Sequence, residues 1–136
     1  MIVVDTNVLA YYWIRGPFTK AAEALERIDP GWVAPPVWRH ELWNVLATLI
    51  RARQISLELA QEVASSAEEQ MSEGEVAVQA SDVLQLAARS GCSAYDCEFA
   101  ALAISLGVPL ITADRKLAKA FPKVARLLEE AVEADS

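Results

Sequence analysis

The chain has 136 residues, 54% hydrophobic and 23% charged, a length that suits one domain with its own core and a radius of gyration of about 14 Å. Five Gly and six Pro exclude collagen-like and low-complexity classes, and 12 Lys+Arg against 19 Asp+Glu give a net charge of −7. A chain-wide basic footprint for nucleic acid is therefore absent, and any polyanionic substrate would have to be held locally, by a basic patch or by bound cations.

Ile2-Val3-Val4 is a β-branched run and reads as a buried central strand. The N-terminus has no basic region, and Asp5 interrupts the apolar run, which predicts no signal peptide. No apolar stretch is long enough to span a membrane, which predicts no transmembrane helix, and the two thiols, read as reduced, predict a cytoplasmic protein. Val8 to Ile14 reads as a helix, punctuated by Gly16-Pro17; Thr19 to Ile28 reads as a second, stopped by Asp29-Pro30-Gly31. Trp32 to Ala34 is a candidate strand, and Pro35-Pro36 opens a helix over Val37 to Arg53 with basic residues in its last turn. Ser56 is a candidate N-cap for a helix reaching about Met71. Glu75 to Gln79 alternates as a strand does, with Val76 and Val78 on one face.

Ser81 is a candidate cap for a helix that ends at Gly91, and Ser93 starts an Ala- and Leu-rich helix that ends at Gly107. Pro109 to Thr112 is an apolar strand, and Arg115 to Phe121 a short basic helix. Val124 to Leu128 fits either an edge strand or a helix. Cys92 and Cys97 lack a CxxC spacing, and with His40 as the sole histidine they read as reduced thiols rather than a zinc site. Strands separated by helices imply parallel βαβ units with right-handed crossovers. The expected fold is α/β, a three-layer α/β/α sandwich around a parallel sheet of four or five strands, in one domain over residues 1–136. In such sheets ligands bind beyond the carboxyl ends of the strands.

Four acids stand out. Asp5 ends the first strand and Asp114 lies just past the last clear one, so parallel strands would bring both to one sheet edge; each could equally cap the helix that follows. Asp96 sits in the first turn of a helix that is apolar nearly all round, at a loose capping-box spacing from Ser93. Glu98, two residues on, points about 200° away and is expected to face solvent. Glu41 lies at the edge of the apolar stripe formed by residues 38, 42, 45, 46 and 49; either it pairs locally with Arg39 or His40, or it belongs to a site. Two like charges about 5 Å apart repel by roughly 3 kcal/mol at an effective dielectric near 20, so four converging acids require protonation or a cation. Oxygen-only ligands favour Mg²⁺ or Mn²⁺, and such a site suits phosphodiester hydrolysis by a metal-activated water.

These motifs, Val3-Val4-Asp5-Thr6-Asn7-Val8-Leu9, Glu41 in its helix, Ser93-Ala94-Tyr95-Asp96 and Ile111-Thr112-Ala113-Asp114-Arg115-Lys116-Leu117, resemble the PIN-domain ribonucleases in content and order, most closely the VapC-type toxins of toxin–antitoxin pairs. The resemblance implies a Mg²⁺- or Mn²⁺-dependent endoribonuclease with Asp5, Glu41, Asp96 and Asp114 as its acidic quartet. It implies Asp5, Asp96 and Asp114 as the metal residues, and Glu41 as a ligand to a second metal or an orienter of the attacking water. Thr112 and Asn7 resemble the family's supporting polar residues; turn chemistry is the other account of both. It further implies an RNA substrate, a cognate antitoxin and a homodimer. Trp38 and Trp43, on the helix pair spanning Val37 to Met71, are candidate anchors for an antitoxin helix or ordinary core aromatics, with Tyr12 and Trp13 similarly open. Arg115, Lys116, Lys119, Lys123 and Arg126 cluster after Asp114 and would hold RNA phosphate locally, or form a solvated face. The alternatives are a Mg²⁺-dependent phosphatase-like α/β hydrolase, against which position 7 is Asn rather than a second Asp, and a non-catalytic PIN-like binding module.

Overall fold

The structure, a computed structural model, describes residues 1–134. Its strands are β1 (Ile2–Val4), β2 (Trp32–Val33), β3 (Leu110–Thr112) and β4 (Ala125–Leu127). They form one all-parallel sheet in the order β2-β1-β3-β4. All four are short, and β1 and β3 are buried at every residue, which is why their sequences are continuous Ile, Val and Leu runs rather than alternating ones.

Eight helices complete the described chain: α1 (Thr6–Trp13), α2 (Thr19–Ile28), α3 (Trp38–Arg51), α4 (Leu57–Gln70), α5 (Ala80–Ser90), α6 (Ala94–Leu106), α7 (Arg115–Ala120) and α8 (Leu128–Glu133). The chain leaves β1 towards β2 through α1–α2, then crosses back over β1 to β3 through α3–α6. Right-handed crossovers in opposite directions place these connections on opposite faces of the sheet. α6 packs on β1 and β3, with α5 against it, while α2 packs on α1 and α8. The expected α/β/α layering with four strands is thus the observed one.

α6 needs no amphipathic stripe, because Cys97 and the run Phe99 to Ala103 are all buried and the helix lies deep against the sheet. Its ends are set locally. Ser93 accepts the Asp96 amide at 3.1 Å, and Gly107 closes the helix in the left-handed region at φ 69°. Ser56 caps α4 as expected, accepting from the Leu59 amide at 3.0 Å. Ser81 does not cap α5: that helix begins two residues earlier than such a cap would set it, after Gln79, with no side-chain cap. Val124 to Leu128 divides between both readings, edge strand β4 and then the start of α8.

The strand expected over Glu75 to Gln79 does not form. One parallel bridge joins Glu75 to Ala34, with Ala34 N–H donating to Gly74 O at 2.9 Å and Val76 N–H to Ala34 O at 3.0 Å. β2 beside it has two residues, so the ladder has no further length to extend. Glu75 is instead tied down by its side chain, which accepts from Trp38 Nε1 and Arg39 Nε, each at 2.8 Å. Arg39 also reaches Glu68 on α4 at 3.2 Å, so its partners are Glu68 and Glu75 rather than Glu41. Trp38 is 1% exposed within the core and is excluded as a surface anchor for a partner.

Gly74 makes the close approach at this edge possible, because a Cβ there would collide with the Trp32 carbonyl oxygen, a backbone atom that cannot swing aside. Gly74→Ala is expected to lower stability by about 1–3 kcal/mol, the usual range for forced overpacking, as read from denaturant unfolding. An unchanged midpoint would contradict that packing.

Candidate active site at the carboxyl edge of the sheet

Parallel strands present their carboxyl ends at one edge, and the winding direction reverses between β1 and β3, which opens a crevice there. A cavity of about 570 Å³ occupies that place, with Asp5, Glu41, Asp96 and Asp114 all in its wall. Acids from β1, α3, α6 and the end of β3 are therefore brought to one address.

Asp5 is both helix cap and cavity residue, so the two readings of it are compatible. Its Oδ1 accepts the Thr6 amide at 2.8 Å, while Oδ2 accepts the Thr112 hydroxyl at 2.7 Å and the Asn7 side-chain amide at 3.3 Å. Register explains the Thr112 contact: Val4 pairs with Ile111, so the next residues of β1 and β3 face each other. Asn7 Oδ1 accepts the Ala113 amide at 3.2 Å, and Thr112 Oγ1 accepts the Asp114 amide at 3.0 Å. Asn7 and Thr112 thus join both strand ends through hydrogen bonds to Asp5 and to the backbone before and at Asp114. Asp114 caps α7 by accepting from the Lys116 and Leu117 amides at 2.9 and 3.3 Å.

Glu41 pairs with neither Arg39 nor His40. Its Oε1 accepts the Thr6 hydroxyl at 2.7 Å, so the residue after Asp5 links β1 to α3. Thr6 escaped the sequence reading; a hydroxyl adjacent to a strand-end acid was the available signal. His40, Asn44 and Tyr95 also line the cavity and were not singled out for it. Glu98 is half-buried beside Val78 and Leu84 rather than facing solvent.

Electrostatics mark the same group. Burial pushes the Asp5 carboxyl from 3.8 up to about 6, against the opposing hydrogen bonds of Thr112 and Thr6, with the charges of Glu41 and Asp96 adding to the rise. Glu41 is raised by burial and by Asp96 and Glu98, opposed by Thr6. Asp96 is raised by burial and by Asp114, opposed by Ser93 and Lys116. Among the described residues none of the four forms a salt bridge.

The donor set is all oxygen, which fits a hard divalent ion. No three acids, His or Cys among the described residues stand close enough to form a ready-made metal cage. Mg²⁺ does not require one, since it keeps several waters and binds through one or two carboxylates plus substrate phosphate.

The basic segment divides. Lys116 and Lys119 are exposed on α7, whereas Arg115 is drawn to Glu129 at 3.3 Å. All three line a separate groove of about 860 Å³ that runs from α7 to the β4 edge.

A folded-state pKa above the unfolded value means that Asp5 favours folding when protonated. Its contribution is present below its unfolded value and is lost as pH rises through about 6. In the metal-free chain, Asp5→Asn is expected to be more stable than the parent by about 1–3 kcal/mol near pH 8, and the gain should vanish near pH 4. Thermal melts of both chains at the two pH values check this; a gain that does not depend on pH contradicts it.

The model of the PIN domain family matches residues 2–126. Among curated proteins no sequence relative matches. Among solved structures, the crystal structure of PAE2754 from Pyrobaculum aerophilum has a TM-score of 0.79 at 19% identity, over 98% of this chain and 94% of that one, a likeness of fold. PIN domains are in general nucleases, and they bind RNA. With the family model spanning nearly all of it and the parallel sheet in place beneath a shared acidic cavity, this chain belongs to the PIN domain family.

Proposed function

We propose that the chain is a Mg²⁺- or Mn²⁺-dependent endoribonuclease, working as one unit over its length in the cytoplasm, and the toxin of a VapC-type toxin–antitoxin pair. The observation that carries the nuclease reading is the convergence of Asp5, Glu41, Asp96 and Asp114 on one cavity at the switch point of the sheet. A divalent ion bound there would polarise the phosphodiester and lower the pKa of a water. Asp5, Asp96 and Asp114 are the residues proposed to hold it.

Glu41, fixed by Thr6, is proposed to orient the attacking water and to accept its proton; burial and neighbouring acids raise its carboxyl, which supports that role. Thr112 and Asn7 keep the Asp5 carboxylate oriented, as the outer hydrogen bonds of metal ligands do. Lys116 and Lys119 are proposed to draw the RNA backbone to the mouth of the cavity. The antitoxin and the homodimer rest on the VapC likeness. An antitoxin helix is proposed to lie on α3–α4, where Trp43 is 44% exposed, with Trp38 playing no part.

Purified protein is expected to cleave single-stranded RNA internally with Mn²⁺ or Mg²⁺, and chelation should stop it. Asp5→Asn and Asp96→Asn should each lose more than about 100-fold in rate, above the 10–100-fold scale of outer-shell changes. Thr6→Val should lose roughly 10–100-fold, because it leaves Glu41 unheld. Full activity in both Asp variants would sink the assignment, and turnover of phosphomonoesters through a covalent Asp5 adduct would replace it with the phosphatase reading.

A further inference from the structure

Beside Glu41 and Asp96, the α3 and α6 wall of the cavity carries groups other than carboxylates. α3 contributes His40 and Asn44, and the first turn of α6 contributes Tyr95, all lining the same space as the four acids. Tyr95 is 60% exposed, and among the described residues its ring meets no other ring and its hydroxyl has no hydrogen-bond partner. His40 is exposed but braced: Trp43, one turn along α3, meets it edge-to-face at a centroid distance of 5.1 Å. Asn44 is exposed with a free amide side chain, able to donate and accept.

An RNA approaching this cavity meets a charge problem. Its phosphates are repelled by the acids until a cation intervenes, and the chain carries a net charge of −7. A base is uncharged and suffers no such repulsion, while aromatic faces accept any base by stacking. Cationic side chains stand where α7 begins, directly after Asp114, and continue along the larger groove through Lys116 and Lys119. The two sides therefore offer different things: the exposed Tyr95 ring and Asn44 amide beside the acids on α3 and α6, positive charge on α7.

We propose that the wall formed by α3 and α6 is a stacking platform for one unpaired nucleobase next to the scissile phosphate, with Tyr95 as the stacking ring and Asn44 reading the base edge. The inference rests on the nuclease reading and specifies its substrate as single-stranded RNA, entered with its base towards Tyr95 and its backbone towards α7. An A-form duplex keeps its bases stacked inside and offers no free face to this wall.

The test is equilibrium binding of a fluorescent single-stranded oligoribonucleotide to the chain carrying Asp5→Asn, which leaves the RNA intact. Adding Tyr95→Ala should weaken binding about 10–100-fold, the range for one base–aromatic stack. Tyr95→Phe, which keeps the ring, should restore it. An oligonucleotide with an abasic unit at the scissile position should bind weakly and be indifferent to Tyr95→Ala, and a duplex should be equally indifferent. Unchanged affinity of Tyr95→Ala for the intact strand, or an equal loss on the abasic one, overturns the proposal. Cleavage by the unaltered chain is scored separately. Normal cleavage with affinity that ignores Tyr95 removes the platform alone, while Tyr95-dependent binding without any metal-dependent cleavage removes the nuclease reading and leaves the platform.

Discussion

The hydrogen bond from the Thr112 hydroxyl to the Asp5 carboxylate, 2.7 Å long, joins the ends of two strands separated by more than a hundred residues. It exists because β1 and β3 are parallel neighbours in a register that sets Asp5 opposite Thr112. Asn7, Thr6, Glu41 and the Asp114 amide are joined to it by further hydrogen bonds. Asn7 ties Asp5 to the turn before Asp114, and Thr6 extends the same network to Glu41 on α3. A slip of one residue in that pairing would turn Asp5 to the other face of the sheet and dissolve the arrangement.

The fold tolerates an electrostatic cost at this edge. Asp5 is 7% exposed, yet no cation pairs with it among the described residues. Its neighbours donate hydrogen bonds to it, which favours the ionised form, but burial outweighs them. The cost is offset elsewhere by a core that runs through both helical layers, with Phe99, Leu9, Leu42 and Leu110 fully buried. Carboxylates under mutual repulsion in a cavity are what a hard cation relieves, and that is the physical basis of the metal-assisted hydrolysis proposed for this edge.

An acidic protein that acts on a polyanion must keep its attractive contacts near the reaction site. Here the cations follow Asp114 within one short helix, while α3 and α6 line the cavity with Tyr95 and Asn44 beside Glu41 and Asp96. The base contact proposed for Tyr95 would favour a flexible strand, whose bases and phosphates can turn in different directions, over a rigid duplex.

The helices were legible in the sequence because their caps are local: Ser56, Ser93, Gly91 and Gly107 act on amides and carbonyls within a few residues. β1 and β3 were legible because buried parallel strands read as unbroken apolar runs. The acids were visible as misfits, a carboxylate at each strand end and one beside an apolar stripe. Their meeting could be anticipated from parallel topology, since that follows from strand–helix alternation.

Tertiary structure decided what depends on partners distant in the chain. It broke off the strand after Glu75, because β2 is too short to extend the ladder, and it buried Trp38, whose helix face the sequence could not orient towards core or solvent. It gave Glu41 to Thr6 rather than to Arg39, and turned Glu98 into a half-buried recess. Local patterns encode propensity and amide satisfaction within a few residues. Which side chains share a cavity is set by how sheet and helices pack, and that is known only once the chain has folded.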